Sequence, residues 1–307
     1  MIDTVTLNPV FDRHLYLKEF RAEKQNRALK EVVCAGGKGV NVSRVLTLLG
    51  AKNDAIAALG AYDAKEYLRL AEESSVKVRP YYVEKQNVRT NTVIHPENAP
   101  ETGVSTDSFV MSDGDLDNIL KMTLAETAEY TVFSGRLPQG LTKAAVIGFL
   151  KALKAEGTKL TVDSSSLTVA DLMEIKPWLI KPNRSEIKAL GYDVADSVSA
   201  KEAAIALLAS GIQNVIVSLD GDGGIYAGEY GTYSVSVPKI ERPLSTVGAG
   251  DSTVAGFVSA IEYGYPIDKA LILAFSCGTA ACLTEGTEPP RRSDIEFIAR
   301  SVNVKKI

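Results

Sequence analysis

With 307 residues, 45% hydrophobic and 23% charged, the chain has the make-up of an ordinary globular protein able to bury one large core, and neither disorder nor a fibrous repeat fits it. Its formal charge of −4 lacks the cationic excess by which phosphate-backbone binders release counterions, which excludes nucleic acid as the expected partner. The longest apolar runs, such as Ala270 to Phe275, fall far short of the ~20 residues that cross a bilayer, so no membrane span or leader is expected.

In chain order, residues 10–35 are the first segment to show alternating polar and apolar positions, as do residues 86–112, where Thr90 to Ile94 alternate and Pro96, Asn98 and Pro100 supply turns. Both read as parts of a small β-sheet projecting from the main body, either a lid over a site or plain surface hairpins. Between them, Ala35-Gly36-Gly37-Lys38-Gly39-Val40-Asn41 runs into a helix in which Val42, Val45, Leu46 and Leu49 share a face and Gly50 is the stop. Gly36 and Gly37 allow close backbone approach to a ligand, and Lys38 and Asn41 offer a charge and an amide to hydroxyl or phosphate oxygens. The GxxxxGK[ST] spacing of a P-loop is absent, and an ordinary loop into a helix is the plain alternative.

Further on, Ala144 to Ala155 reads as a helix ended by Gly157, and Lys159 to Asp163 as a strand. Leu179-Ile-Lys-Pro-Asn183-Arg-Ser-Glu186 joins an extended segment to Asn and Glu three residues apart, suited to reach hydrated magnesium or to form a capping box. Lys201 to Ala209 reads as a helix, Gly211 as its stop, and Asn214 to Leu219 as a buried strand. This alternation predicts a mostly parallel sheet with helices on both faces and ligands at the carboxyl ends of its strands.

The densest signal is Thr246-Val-Gly-Ala-Gly-Asp251-Ser, opening into a helix over Thr253 to Tyr263. Amides of Gly248, Ala249 and Gly250 at a helix entrance hold an anion. A carboxylate beside an anion repels it, so Asp251 is either a proton acceptor or simply a helix N-cap.

Three scattered cysteines (Cys34, Cys277, Cys282) and two histidines (His14, His95) offer neither a disulfide framework nor a zinc site. A reducing cytoplasm and a hard, oxygen-bound metal such as magnesium are expected. Arg27, Lys38, Arg89 and Arg136 fall in or beside the segments facing the expected ligand, a group of cations suited to a phosphorylated one.

Taken in order with Asn8-Pro9 and Asp12, the set GGKGVNVSRVL, SGRLPQG, LIKPNRSE, VSLDGDGG and VGAGDSTVAGF resembles the PfkB, or ribokinase-like, family of carbohydrate kinases over essentially the whole chain. The TLNP opening, Thr6 to Pro9, is similar to the branch of tagatose-6-phosphate kinases and 1-phosphofructokinases. The resemblance implies a single ribokinase-like domain over 1–307, a three-layer α/β/α fold with a mostly parallel central sheet and a small β-sheet lid from about 10–35 and 86–112. It implies Asp251 as catalytic base and Gly248, Ala249 and Gly250 as anion hole. Asp12, Gly37, Lys38 and Asn41 match sugar-contacting positions, Asn183 and Glu186 the pair that organises magnesium through water, and Ser218, Gly221 and Gly223 the loop along ATP. A homodimer through the lid follows by analogy.

Arg136 stands where the family has a small residue, Asp220 where it has glycine, and Gly103-Val104 follows Glu101-Thr102 where the phosphofructokinase-like branch continues with an acid and an asparagine. The implied activity is transfer of the γ-phosphoryl group of MgATP to a hydroxyl of a ketohexose phosphate, tagatose 6-phosphate or fructose 1-phosphate. The alternatives are a kinase of an unphosphorylated sugar or nucleoside, and a silent sugar-phosphate sensor.

Overall fold

Short β-branched runs recur along the chain, most of them followed by an amphipathic stretch, and most become strands of one large sheet. The computed structural model describes every residue except Asn98 and Thr127, so the turn expected at Asn98 lies outside the described residues. Strands β1 (Ile2–Thr6), β2 (Val10–Leu17) and β3 (Lys30–Gly36) lead into α1 (Lys38–Leu49). Next come β4 (Asn53–Gly60), α2 (Ala64–Glu73), β5 (Val78–Val83), β6 (Arg89–Pro96), β7 (Thr102–Ser105) and α3 (Asp113–Leu124). The middle holds β8 (Tyr130–Ser134), α4 (Lys143–Ala155), β9 (Lys159–Asp163), α5 (Val169–Ile175), β10 (Leu179–Ile180), α6 (Arg184–Ala189), α7 (Ser197–Ala209) and β11 (Asn214–Ser218). The chain ends with β12 (Gly224–Gly228), β13 (Gly231–Ser236), α8 (Ala249–Glu262), α9 (Ile267–Ala281), α10 (Arg292–Ala299) and β14 (Asn303–Lys306).

The large sheet has 10 strands in the order β14-β13-β12-β11-β10-β9-β8-β1-β4-β5. From β5 to β11 every neighbouring pair is parallel, and β12, β13 and β14 close the edge antiparallel. Successive strand residues feed opposite cores. In β11, Val215 and Val217 pack with α3, α4, α5 and α7, while Ile216 packs with α1, α8, α9 and α10. Helices therefore cover both faces of a sheet buried on each side, the three-layer arrangement expected from the alternation. Among the described residues, no helix is long and apolar enough to cross a membrane.

A separate four-stranded sheet, order β3-β2-β6-β7, is built from the two alternating segments. Within them, residues 18–29 and 106–112 form connections rather than named strands. Helix α1 begins at Lys38 and ends against Gly50 in a left-handed cap, β9 has the expected bounds, and α4 starts one residue earlier than expected. Helix α7 starts at Ser197, four residues before the reading from periodicity, because Asp196 caps it by accepting from the Val198 and Ser199 amides.

The small sheet is tied to the body through aromatic and imidazole side chains. His14 Nδ1 and His95 Nε2 are hydrogen-bonded at 2.9 Å, His95 Nδ1 meets Glu101 Oε1 at 2.8 Å, and Tyr16 stacks on His95 while its hydroxyl donates to Glu285 at 2.8 Å. Burial, followed by the neighbouring His95, holds the His14 pKa below the ordinary imidazole value. A histidine so depressed makes the unfolded chain the better proton binder, so its contribution is present above about pH 6.5 and is lost as pH falls below that. Thermal melts from pH 7.5 to 5.5 should show a steeper loss of stability in the wild type than in His14→Gln. The raised carboxylates act in the opposite sense and are common to both proteins, so equal slopes would refute the assignment.

Candidate active site

Helix α8 starts earlier than its apolar spacing implied, and this decides what Asp251 does locally. Its N-cap is Gly248, in the left-handed region at φ 81°, so Asp251 is the third residue of the first turn and not the cap. The Ala249 amide is spent on a long 3.4 Å bond to the Thr246 carbonyl. Among the described residues, the Gly248 and Gly250 amides have no acceptor and remain available at the positive end of the helix dipole.

Asp251 is only 4% exposed, and its Oδ2 accepts from the Asn41 side-chain amide at 2.9 Å. Among the described residues no cation lies within 4 Å of it. Burial is the main reason its pKa is pushed up to about 6; Lys38 opposes the rise, Asp163 adds to it, and Asn41 and Lys181 hold it down.

Lys38, the first residue of α1, places its ammonium 3.3 Å from Asp163 Oδ2 and 3.5 Å from Glu186 Oε1. Burial alone would lower its pKa, but Asp163, Asp251 and Glu186 outweigh burial and raise it, so Lys38 stays charged. Asp163 ends β9, buried beneath Ser134, whose hydroxyl donates to the Asp163 carbonyl at 3.3 Å. Burial pushes this carboxyl up, yet the Lys181 and Lys38 ammoniums hold it below the usual range. Lys181 follows β10 and is 3% exposed. A Cβ on Gly250 would stand 2.9 Å from its Nζ, so the ammonium lies close beside the second residue of α8 and a side chain there would push it aside. Asp163 and Lys181 escaped the motif reading, although both sit at the carboxyl ends of strands, where the sheet pattern had already directed attention.

A cleft of about 350 Å³ opens beside this group, lined by Lys181, Asn183, Ser218, Gly221, Gly223, Ala249 and Gly250 among others. The four positions expected along the nucleotide thus share one cleft with the α8 entrance. Asn183 and Glu186 do form a capping box: the Asn183 side chain accepts from the Glu186 amide and Glu186 Oε2 from the Asn183 amide, leaving Oε1 toward Lys38. Asp220, the departure from glycine, keeps a left-handed backbone at φ 54°. Aspartate tolerates that region better than most residues, and Arg184 clamps the turn, pairing with Asp220 at 3.2 Å and Asp222 at 2.9 Å.

On the far side of Lys38, Asp12 is buried in β2 and paired in register with Asn91 of β6, whose amide donates to it at 3.2 Å. A Cβ on Gly36 would fall 2.1 Å from Asp12 Oδ2, so glycine is required there for the carboxylate to pass. Arg89 Nε donates to Asn8 at 3.0 Å. Burial lowers the Arg89 pKa, Asp12 raises it, and Arg136 lowers it again, so two guanidiniums lie near enough to repel. Arg27 is not brought to this group: it is exposed on the β2–β3 connection, with no ion pair or hydrogen bond among the described residues.

The pfkB family carbohydrate kinase profile matches residues 5–294. A 1-phosphofructokinase of Borreliella burgdorferi is 34% identical over 287 residues, covering 92% of both chains. A tagatose-6-phosphate kinase of Staphylococcus epidermidis is 27% identical over the full length of both. Among solved structures, phosphofructokinase-2 from Escherichia coli in complex with potassium superposes with a TM-score of 0.90 at 25% identity, covering 98% of each chain.

The charges around Asp251 make opposite predictions for two substitutions. In a carbon-13 NMR titration its carboxyl should titrate near pH 6; Lys38→Met should move the midpoint up, and Asp163→Asn should move it down. A midpoint near the ordinary aspartate value in the wild type would refute the burial argument.

Proposed function

The chain belongs to the pfkB family of carbohydrate kinases and is a phosphotransferase with an alcohol group as acceptor; on that premise we propose that its donor is ATP and its acceptor a hydroxyl of a ketohexose phosphate, of the tagatose 6-phosphate or fructose 1-phosphate kind. The observation that carries the reading is Asp251: a carboxylate sealed from bulk water, free of a direct ion pair, with a pKa of about 6 and two unspent amides at the same helix entrance. Such a group is largely ionised at neutral pH yet basic enough to accept a proton as a hydroxyl attacks.

In the step we propose, the acceptor oxygen gives its proton to Asp251 and bonds to the γ-phosphorus as the bond to the β-phosphate oxygen breaks, releasing ADP. The Gly248 and Gly250 amides and the Lys181 ammonium face the equatorial oxygens, where charge is spread in the transition state. Asn183, Ser218, Gly221 and Gly223 line the donor cleft, with Asp220 and Arg184 holding its turn. Among the described residues, no three His, Cys, Asp or Glu side chains form a metal cage, and Asn183 and Glu186 cap one another. That donor set fits magnesium carried in with the phosphates and met by Glu186 through water. When bound, the ion would screen the phosphate charge.

Asp12, Gly36, Gly37, Lys38 and Asn41 would orient the sugar, and Arg89 with Arg136 would take its phosphate. We read the small sheet as a lid over this end. Its half-buried Ile94 and its Val104, 60% exposed, lie on the same face of the sheet and offer an apolar surface for a second copy. We propose the cytoplasm as the compartment in which such a donor and acceptor would be met.

Asp251→Asn should lower kcat by at least ~100-fold while the Kd for the ketose phosphate changes little. Arg89→Ala should raise KM for the sugar phosphate about 10-fold or more, the loss expected for a charge-assisted contact. A coupled ADP-release assay over tagatose 6-phosphate, fructose 1-phosphate, fructose 6-phosphate, ribose and adenosine checks the acceptor class. Preference for a free sugar would overturn the role of the two arginines, and silence with every acceptor would point to a sensor.

A further inference from the structure

One buried cation has no part in the steps above. Arg44 lies three residues after Asn41 on α1, is 4% exposed, and sits within the electrostatic reach of both Asp12 and Asp251. Its Nη1 donates to Asn41 Oδ1 at 3.1 Å and to the Thr287 carbonyl at 3.0 Å; its Nη2 donates to the Ala35 carbonyl at the end of β3. Its Nε has no partner among the described residues.

That arrangement is poor for stability. A buried guanidinium with one N–H unsatisfied and no carboxylate in contact is the case in which an apolar side chain of similar volume serves the fold as well or better. What the charge does locally is definite. An amide side chain carries its acceptor and its donors on opposite sides, and by holding the Asn41 oxygen, Arg44 turns the Asn41 NH₂ toward Asp251 Oδ2. Without the guanidinium, a flipped Asn41 would present its oxygen to the carboxylate, replacing a hydrogen bond with repulsion.

We propose that Arg44 is a positioning residue: its guanidinium fixes the orientation of the Asn41 amide, and through that amide it sets the proton affinity of Asp251. The assignment rests on Asp251 as the proton acceptor only for its effect on rate; the geometric part stands apart from it. The same fork grips the Ala35 carbonyl near the end of β3 and the loop at Thr287, so the attachment of the small sheet and the state of Asp251 share one side chain. The other charged or titratable groups facing this cluster are Lys38 on α1, Asp163 ending β9, Lys181 after β10, Asp12 on β2, Cys34 on β3 and Tyr67 on α2.

The test is the carbon-13 titration of the Asp251 carboxyl, with the pH profile of kcat/KM beside it, in wild type, Arg44→Met, Asn41→Leu and the double variant. Loss of one hydrogen bond to a carboxylate should move the Arg44→Met midpoint up by about one pH unit. Asn41→Leu should do the same, and the double variant should move little further, because both changes remove one interaction. Arg44→Lys keeps the charge without the fork and should give an intermediate shift; it also supplies the test if Arg44→Met does not fold.

An unmoved midpoint in Arg44→Met and Arg44→Lys, with activity lowered equally at every pH, would overturn the proposal in favour of a packing role. A full extra shift from Arg44→Met in the Asn41→Leu background would overturn it in favour of charge alone. A moved carboxyl midpoint with an unmoved rate profile would leave Arg44 as assigned and remove Asp251 from its role as base.

Discussion

A carboxylate that takes a proton near neutrality has to be withdrawn from water without being neutralised by a permanent ion pair, and the rest of the site follows from that requirement. Burial raises the proton affinity of Asp251; a lysine in contact would cancel the rise. The structure resolves the conflict by giving the nearest ammonium other partners. Lys38 is held between Asp163 and Glu186, so Asp251 feels its field without meeting it. At 4 Å and an effective dielectric of about 20, a unit pair is worth ~4 kcal/mol, enough to erase such a shift. Asn41 supplies the neutral hydrogen bond that an ion pair would otherwise provide.

The fold delivers these groups from elements remote in sequence and rigid in space. Asp163 ends β9, Lys181 follows β10, and Ser134 ends β8, so three strands of one sheet present their carboxyl ends to the same point. From one face of that sheet, α1 and α8 pack together through Val42, Val45 and Leu46 against Val254, Phe257 and Val258. Their N-terminal turns carry Lys38 with Asn41 and the Gly248–Asp251 entrance. Close-packed interiors tolerate little displacement, so the 2.9 Å bond between Asn41 and Asp251 is set by the interface of two helices whose cores lie well below it.

Much of this was legible in the chain. The helix over 38–49 and the strand over 159–163 announce themselves by period and by a following or preceding glycine, and the three-layer class follows from their alternation. The first turns of α7 and α8 do not, because Ser197 to Ala200 and Ala249 to Ser252 carry no apolar stripe; α7 is begun by the Asp196 cap and α8 by the left-handed Gly248. Arg44 lay inside a quoted motif but reads as an ordinary helical arginine until its acceptors, Ala35 and Thr287, are brought beside it. Arg27 illustrates the opposite failure: a position in a hairpin segment says nothing of which way its connection turns, and this one stands in solvent. Asp220 has a left-handed backbone of the kind glycine adopts readily, and its pairing with Arg184, 36 residues earlier in the chain, is invisible until the two are brought together.

The distribution of charge along the cleft carries the last step. In a chain of net charge −4, Lys38 and Lys181 both act on Asp163, and Arg89 and Arg136 lie within reach of one another, so the cations fall into two groups. At the centre Lys38 is compensated by Asp163 and Glu186. At the small-sheet end, Arg89 donates to the neutral Asn8 and feels both the Asp12 carboxylate and the Arg136 guanidinium, with no direct ion pair among the described residues. Cations strong enough to bind a phosphate would, if placed at the centre, draw the proton affinity of Asp251 down with them. On the proposed reading, keeping the arginines that would bind the phosphate apart from Asp251 spares it that loss, and the distance between them would select the length of the acceptor.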